Sequence, residues 1–168
     1  EKMDSPAWSP TPAVVASAKL TAFTDWLARE KGLRLADYEA LWRWSVDDLE
    51  GFWGAVWDYH AIPAATPRTA VLATAAMPGA RWFPGVSMNY VEQVFRHATA
   101  ARPAIVSRNE AGSQRELSWA EMQRQVGALA ASLRAMGVQR GDRVVAYLPN
   151  IPETAIAFLA VASLGAVW

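Results

Sequence analysis

Side chains able to move protons, grip metals or hold phosphates are few in this 168-residue chain, and they are scattered. His60 and His97 are its two histidines. Neither has a carboxylate or thiolate neighbour at ligand spacing, so neither reads as a metal ligand. His97, near the end of a helical run, suits the negative end of the helix dipole. Asp47, Asp48 and Glu50 could be imagined as paired acids, but they gather where a helix begins, a position that favours solvated carboxylates. Arg81, inside Ala80-Arg81-Trp82-Phe83-Pro84-Gly85, could hold a carboxylate or phosphate, or clamp a surface beside its aromatic neighbours. Leu148-Pro149-Asn150-Ile151-Pro152-Glu153 follows an expected strand, where doubly wound proteins place ligand chemistry. It has no glycine fingerprint, and its two prolines remove backbone donors, so it reads as a rigid strand-to-helix joint. The lysines are Lys2, Lys19 and Lys31, all near the N-terminus, and no Gly-x-x-x-x-Gly-Lys run occurs. Chemistry that needs a positioned lysine against phosphates cannot be completed by these residues alone.

Composition narrows the classes further. Hydrophobic residues make up 52% and charged residues 19%, the balance of a globular protein. Sixteen basic and sixteen acidic side chains give a formal net charge of zero. There is no basic stripe for nucleic acid and no polybasic anchor for a membrane. Cysteine is absent, which removes disulfides, thiolate metal sites and a cysteine nucleophile from these residues and suits a cytoplasmic setting. The apolar run 155–168 is shorter than the roughly 20 residues that span a bilayer. Seven of the nine tryptophans precede residue 83, so the two halves differ in character.

These residues must be positioned by elements the pattern predicts. Pro6, Pro10 and Pro12 mark an extended arm. Leu20, Phe23, Trp26 and Leu27 recur at helical spacing, with Gly32 as the stop. Tyr38, Leu41, Trp42 and Trp44 predict a second helix. Ser45-Val46-Asp47-Asp48 predicts the start of a third, with the Ser45 hydroxyl as cap and Leu49, Phe52, Trp53, Val56 and Trp57 on its apolar face. Short helices are marginal alone, so this aromatic group reads as a cap packed on a larger body. Residues 61–87, rich in proline, predict a long connector, and Tyr90, Val91, Val94 and Phe95 another helix. The texture then becomes α/β. Residues 104–108 and 115–118 predict a hairpin around Asn109–Ser113. Ser118-Trp119-Ala120-Glu121 predicts a capping box, opening a helix that carries Met122, Val126, Leu129, Leu133 and Met136 and leaves through Gly137. Val144–Leu148 predicts a buried strand, followed by a helix nearly apolar all round. Ala166-Val167-Trp168 predicts the next, parallel strand after a right-handed crossover, in a unit incomplete at its C-terminal end.

With those residues in view, the chain resembles the N-terminal part of the acyl-CoA synthetases of the adenylate-forming superfamily. The resemblance runs from about Tyr38 to Trp168. It rests on Leu41-Trp42-Arg43-Trp44-Ser45, Phe52-Trp53-Gly54-Ala55-Val56-Trp57, Met77-Pro78-Gly79-Ala80-Arg81-Trp82-Phe83-Pro84-Gly85 leading to Asn89-Tyr90, Leu117-Ser118-Trp119-Ala120-Glu121, Gly141-Asp142-Arg143-Val144, and Tyr147 to Glu153. The Met-Pro-Gly prefix, Asn89-Tyr90 and the closing Leu-Gly-Ala-Val-Trp favour the acetoacetate-activating branch. Gln93, and Val86-Ser87-Met88, depart from the pattern.

The resemblance implies an α/β fold: a Trp-rich helical cap and connector over residues 1–100, then the opening hairpin and βαβ units of the large AMP-binding domain over 101–168. It implies a two-step ligase using ATP, Mg²⁺ and CoA on a small carboxylate, acetoacetate, in the cytoplasm. The rest of the same polypeptide would be its partner, with no nucleic acid and no membrane. The phosphate loop, acyl pocket and catalytic lysine of that family would lie beyond Trp168. The expectation for this chain is therefore scaffold: no catalytic, cofactor-binding or metal residue of its own. The alternatives are the matching segment of an acetyl- or propionyl-CoA synthetase, or a non-catalytic interaction module built on the Trp-rich helices.

Overall fold

The computed structural model describes residues 8–168, so the proposed arm before Trp8, with Lys2, lies largely outside the described residues. The fold is mixed α/β, and the described residues divide into two compact units: residues 8–62 with 68–85, and residues 63–67 with 86–168.

The first unit is helical. Among its described residues are α1 (Pro12–Ser17), α2 (Lys19–Glu30), α3 (Tyr38–Asp47) and α4 (Leu49–Tyr59), then a hairpin of β1 (Leu72–Thr74) and β2 (Arg81–Trp82). Thr11 caps α1 and Asp37 caps α3 through their side-chain oxygens. Gly32, at φ +67°, lets the chain turn back after α2 so that the Leu33 amide reaches the Leu27 carbonyl at 3.2 Å. The expected helix start at Ser45 is corrected. Ser45 lies within α3 and donates its hydroxyl to the Trp42 carbonyl at 2.7 Å, while Asp48 caps α4 by accepting from the Gly51 amide at 2.9 Å. A carboxylate is as good a cap as a hydroxyl, and α3 itself continues two residues past Ser45, to Asp47. The core is aromatic: Phe23, Leu27, Leu41 and Ala55 are buried, with Trp26, Trp44, Phe52, Val56 and Tyr59 against them. The rings meet edge to face, Phe23 to Tyr59 at 5.0 Å and Trp44 to Phe52 at 5.4 Å, the arrangement favoured by aromatic quadrupoles.

The second unit is built on aliphatic contacts. It holds α5 (Tyr90–Phe95), an antiparallel hairpin of β3 (Ile105–Arg108) and β4 (Gln114–Leu117), α6 (Trp119–Ala135) and α7 (Pro152–Ser163). The hairpin pairs Ile105 with Leu117 and Arg108 with Gln114, and Asn109 closes it: its amide donates to the Ser113 carbonyl, its side-chain oxygen accepts the Ser113 amide, and its carbonyl accepts the Gly112 amide. The Ser118 hydroxyl accepts the Glu121 amide at 3.2 Å. The Glu121 carboxylate turns instead to Arg124 and Gln125. Gly137, at φ +93°, ends α6, and the Val138 amide returns to the Leu133 carbonyl at 3.0 Å. Met122, Val126 and Ala130 of α6 face Ile156, Leu159 and Ala160 of α7 across a buried seam. Met136, expected on that stripe, is 78% exposed because it lies past the last turn as the helix C-cap.

The expected buried strand Val144–Leu148 does not form as such. A parallel bridge joins Arg143 to Val167, and Val145 and Tyr147 are fully exposed. A strand is a relation between two backbones, and among the described residues this segment is paired at the Arg143–Val167 bridge alone.

Candidate functional site

The residues singled out for chemistry do not converge. His60 caps α4 and lies against the Tyr59 ring at 5.1 Å. His97 follows α5 and meets the Gln93 amide at 3.3 Å. Asp48 is occupied as a cap, and its Oδ2 also accepts the Trp44 indole N–H at 3.1 Å. Among the described residues no group of three or more metal-capable side chains comes together.

The turn before α7 is a joint with specific fastenings. Ile151 gives α7 no side-chain cap; the Thr154 hydroxyl reaches back to the Pro149 carbonyl at 2.6 Å. Arg115 of β4 pairs with Glu153 in the first turn of α7 at 2.7 Å, fixing the hairpin to the helix start. Its hydrogen bond holds the Glu153 carboxyl below the usual 4.5. Glu121 is drawn further, to about 2, by hydrogen bonds from Arg124 and then Gln125.

The string around Arg81 has a constrained backbone. Arg81 and Trp82 form β2, and Phe83 sits at φ +45°, a region that disfavours a residue with a side chain. Its ring stacks on Trp57 at 4.6 Å and its amide reaches the Val71 carbonyl at 2.8 Å, so neighbouring structure over-determines the conformation. Trp82 meets Trp53 at 6.0 Å. The aromatics beside Arg81 thus pack on α4.

A charged group that sequence reasoning missed lies nearby. Asp58 of α4 accepts from Lys31 at 2.8 Å and from Arg68 at 2.9 Å. Lys31 lies over Trp26 at 5.6 Å and Arg68 over Trp57 at 6.0 Å, so each cation rests on an indole as well as on the carboxylate. Burial pushes the Asp58 carboxyl up, but the hydrogen bonds from Lys31 and Arg68 outweigh it and hold it below the usual 3.8. The three residues are separated by 27 and 10 positions in the chain, and no local pattern links them. A cavity of about 470 Å³ beside them is lined by Trp44, Asp48, Gly54 and Val71. Lys31 and Arg68 are thus both committed to Asp58.

Comparison with known proteins finds relatives along nearly the whole chain. Residues 92–168 match the family model for AMP-binding enzymes, and residues 38–94 match that for the acetyl-coenzyme A synthetase N-terminus. Together the two matches take in residues 38–168. Over nearly its whole length the chain is similar to acetoacetyl-CoA synthetases. It is 36% identical over 165 residues to one from Rhizobium meliloti (strain 1021), covering 98% of this chain and 25% of that protein. To the Xenopus tropicalis protein it is 37% identical over 155 residues, 89% of this chain and 23% of that protein. The solved structure of the Streptomyces lividans acetoacetyl-CoA synthetase superposes with a TM-score of 0.90 at 44% identity, over 96% of this chain and 25% of that one. The chain thus spans about a quarter of the length of the curated relatives it matches.

Proposed function

We propose that this chain forms the N-terminal scaffold of an acetoacetate–CoA ligase. In that reaction ATP activates the carboxylate as an acyl-adenylate with loss of pyrophosphate, and the CoA thiol then displaces AMP to give the thioester. ATP, Mg²⁺ and CoA would be handled by the rest of the same polypeptide, in the cytoplasm. Residues 1–100 would serve as helical cap and connector, and residues 101–168 would open the AMP-binding domain with its hairpin and βαβ units. No residue of this segment is assigned to catalysis, cofactor or metal.

The observation that carries this reading is the match to the Streptomyces lividans acetoacetyl-CoA synthetase, close in both sequence and backbone over nearly the whole chain. The second reading, an acetyl- or propionyl-CoA synthetase, has its own support in the match of residues 38–94 to the acetyl-coenzyme A synthetase N-terminus. ATP–pyrophosphate exchange by the full-length protein separates the two. Exchange at least tenfold faster with acetoacetate than with acetate or propionate is expected; preference for acetate would move the assignment to the second reading.

A further inference from the structure

Asn89, at the head of the shortest helix of the second unit, makes three hydrogen bonds with one amide group. Its Oδ1 accepts the Val91 amide at 2.9 Å and so caps α5. Its Nδ2 donates to the carbonyls of Ala162 at 3.2 Å and Ser163 at 3.1 Å, in the last turn of α7. The Ala162 carbonyl also accepts the Gly165 amide at 3.0 Å, so Asn89 adds a side-chain donor to a helix end that its own backbone partly closes. The chain leaves α7 through Leu164 and Gly165 and at once makes the parallel bridge: the Val167 amide donates to the Asp142 carbonyl at 2.7 Å, and the Val144 amide to the Val167 carbonyl at 2.8 Å. Capping α5 needs an acceptor, which Asp or Ser supplies as well as Asn does. Holding α7 needs a donor on the same side chain, which an ionised Asp lacks.

We propose that Asn89 is a positioning residue: by tying the end of α7 to the start of α5, it sets where the chain leaves α7 and hence the pairing of residues 142–144 with Val167. The inference concerns this chain's own backbone. It adds to the ligase reading only the consequence that the segment 166–168, placed where a doubly wound sheet would carry its next strand, is aimed from its N-terminal end by this amide.

The test uses hydrogen exchange and thermal melts on the full-length protein with Asn89→Asp, Asn89→Ser and Asn89→Ala. Asn89→Asp keeps the acceptor for Val91 but sets a carboxylate against two carbonyls. Exchange at Val144 and Val167 is expected to become about tenfold faster, with Val91 still protected. Asn89→Ser, which also keeps the cap, is expected to loosen the same two amides without the added repulsion. A protonated Asp can donate again, so lowering the pH should restore much of the Asn89→Asp loss while Asn89→Ser and Asn89→Ala show no such recovery. The charged groups lining the same cavity, Glu92 of α5 and Arg140, are common to all variants and cancel in the comparison. If Asn89→Asp behaved like wild type while Asn89→Ala alone lost protection, and lost it at Val91, the residue would be a simple helix cap and the proposal overturned. Failure of the acetoacetate exchange assay would leave this result untouched.

Discussion

The two units solve the same packing problem with different materials. The first joins short helices through rings: Phe23, Trp26, Phe52 and Tyr59 meet around Leu27 and Leu41. The second joins a 17-residue helix to a 12-residue one through small and branched residues, with Ala130 and Ala160 letting the two come close. In the first, helices too short to be stable alone depend on distant partners, and the Lys31–Asp58–Arg68 group adds a charged fastening between α2, α4 and the segment that follows. In the second, α6 carries its own start and stop signals in Ser118 and Gly137, so more of its stability is local.

That contrast can be broken at four points. The largest effect is expected at Leu27, fully buried among rings that cannot collapse into the space it leaves. Leu27→Ala should cost about 2–5 kcal/mol in denaturant melts; a cost below about 1 kcal/mol would show that the aromatic cluster is loosely packed. Next is Asp58→Asn, which should cost about 1 kcal/mol at neutral pH, since the pair is half-shielded rather than buried. The Asp58 carboxyl is held below its unfolded value, so its contribution is present above about pH 4 and fades as the pH falls through the lowered native value. The gap between wild type and Asp58→Asn should close toward acid, and a gap that widened would reverse the sign. Ser118→Ala comes next, at about 0.5–2 kcal/mol, with substrate preference unchanged; a shift in acyl preference would give Ser118 more than a capping role. The smallest effect is expected at Trp119, whose buried indole N–H has no hydrogen-bond partner. Trp119→Phe should leave the melting midpoint within about 0.5 kcal/mol of wild type, where loss of a made hydrogen bond would cost about 1 kcal/mol or more.

The same division decides what could be read from the chain. Helix α6 was legible end to end because its cap, stripe and exit glycine lie within twenty residues. The hairpin at Asn109–Gly112 was legible for the same reason. Helix α4 was legible in its apolar face but not in its start, since Ser45, Asp47 and Asp48 all carry capping side chains and only packing selects Asp48. The hairpin of Leu72–Thr74 with Arg81–Trp82 has too few residues to show alternation. Val144–Leu148 has the composition of a buried strand, yet composition cannot supply the neighbour that makes it one. The fastenings are the least legible: Asp58 meets Lys31 and Arg68, and Asn89 meets Ala162, across stretches that only the folded chain brings together.

On the proposed reading these residues frame a ligase without entering its chemistry. His60 and His97 are the chain's two histidines, the residue type most often used for general acid–base catalysis. The direct test is the pH profile of kcat for acetoacetyl-CoA formation by the full-length protein carrying His60→Gln and His97→Gln together. A profile with unchanged inflections and a kcat within about threefold of wild type is expected. A fall of 100-fold or more in a folded variant, or the loss of a limb of the profile, would place general acid–base chemistry in this segment and contradict the scaffold role.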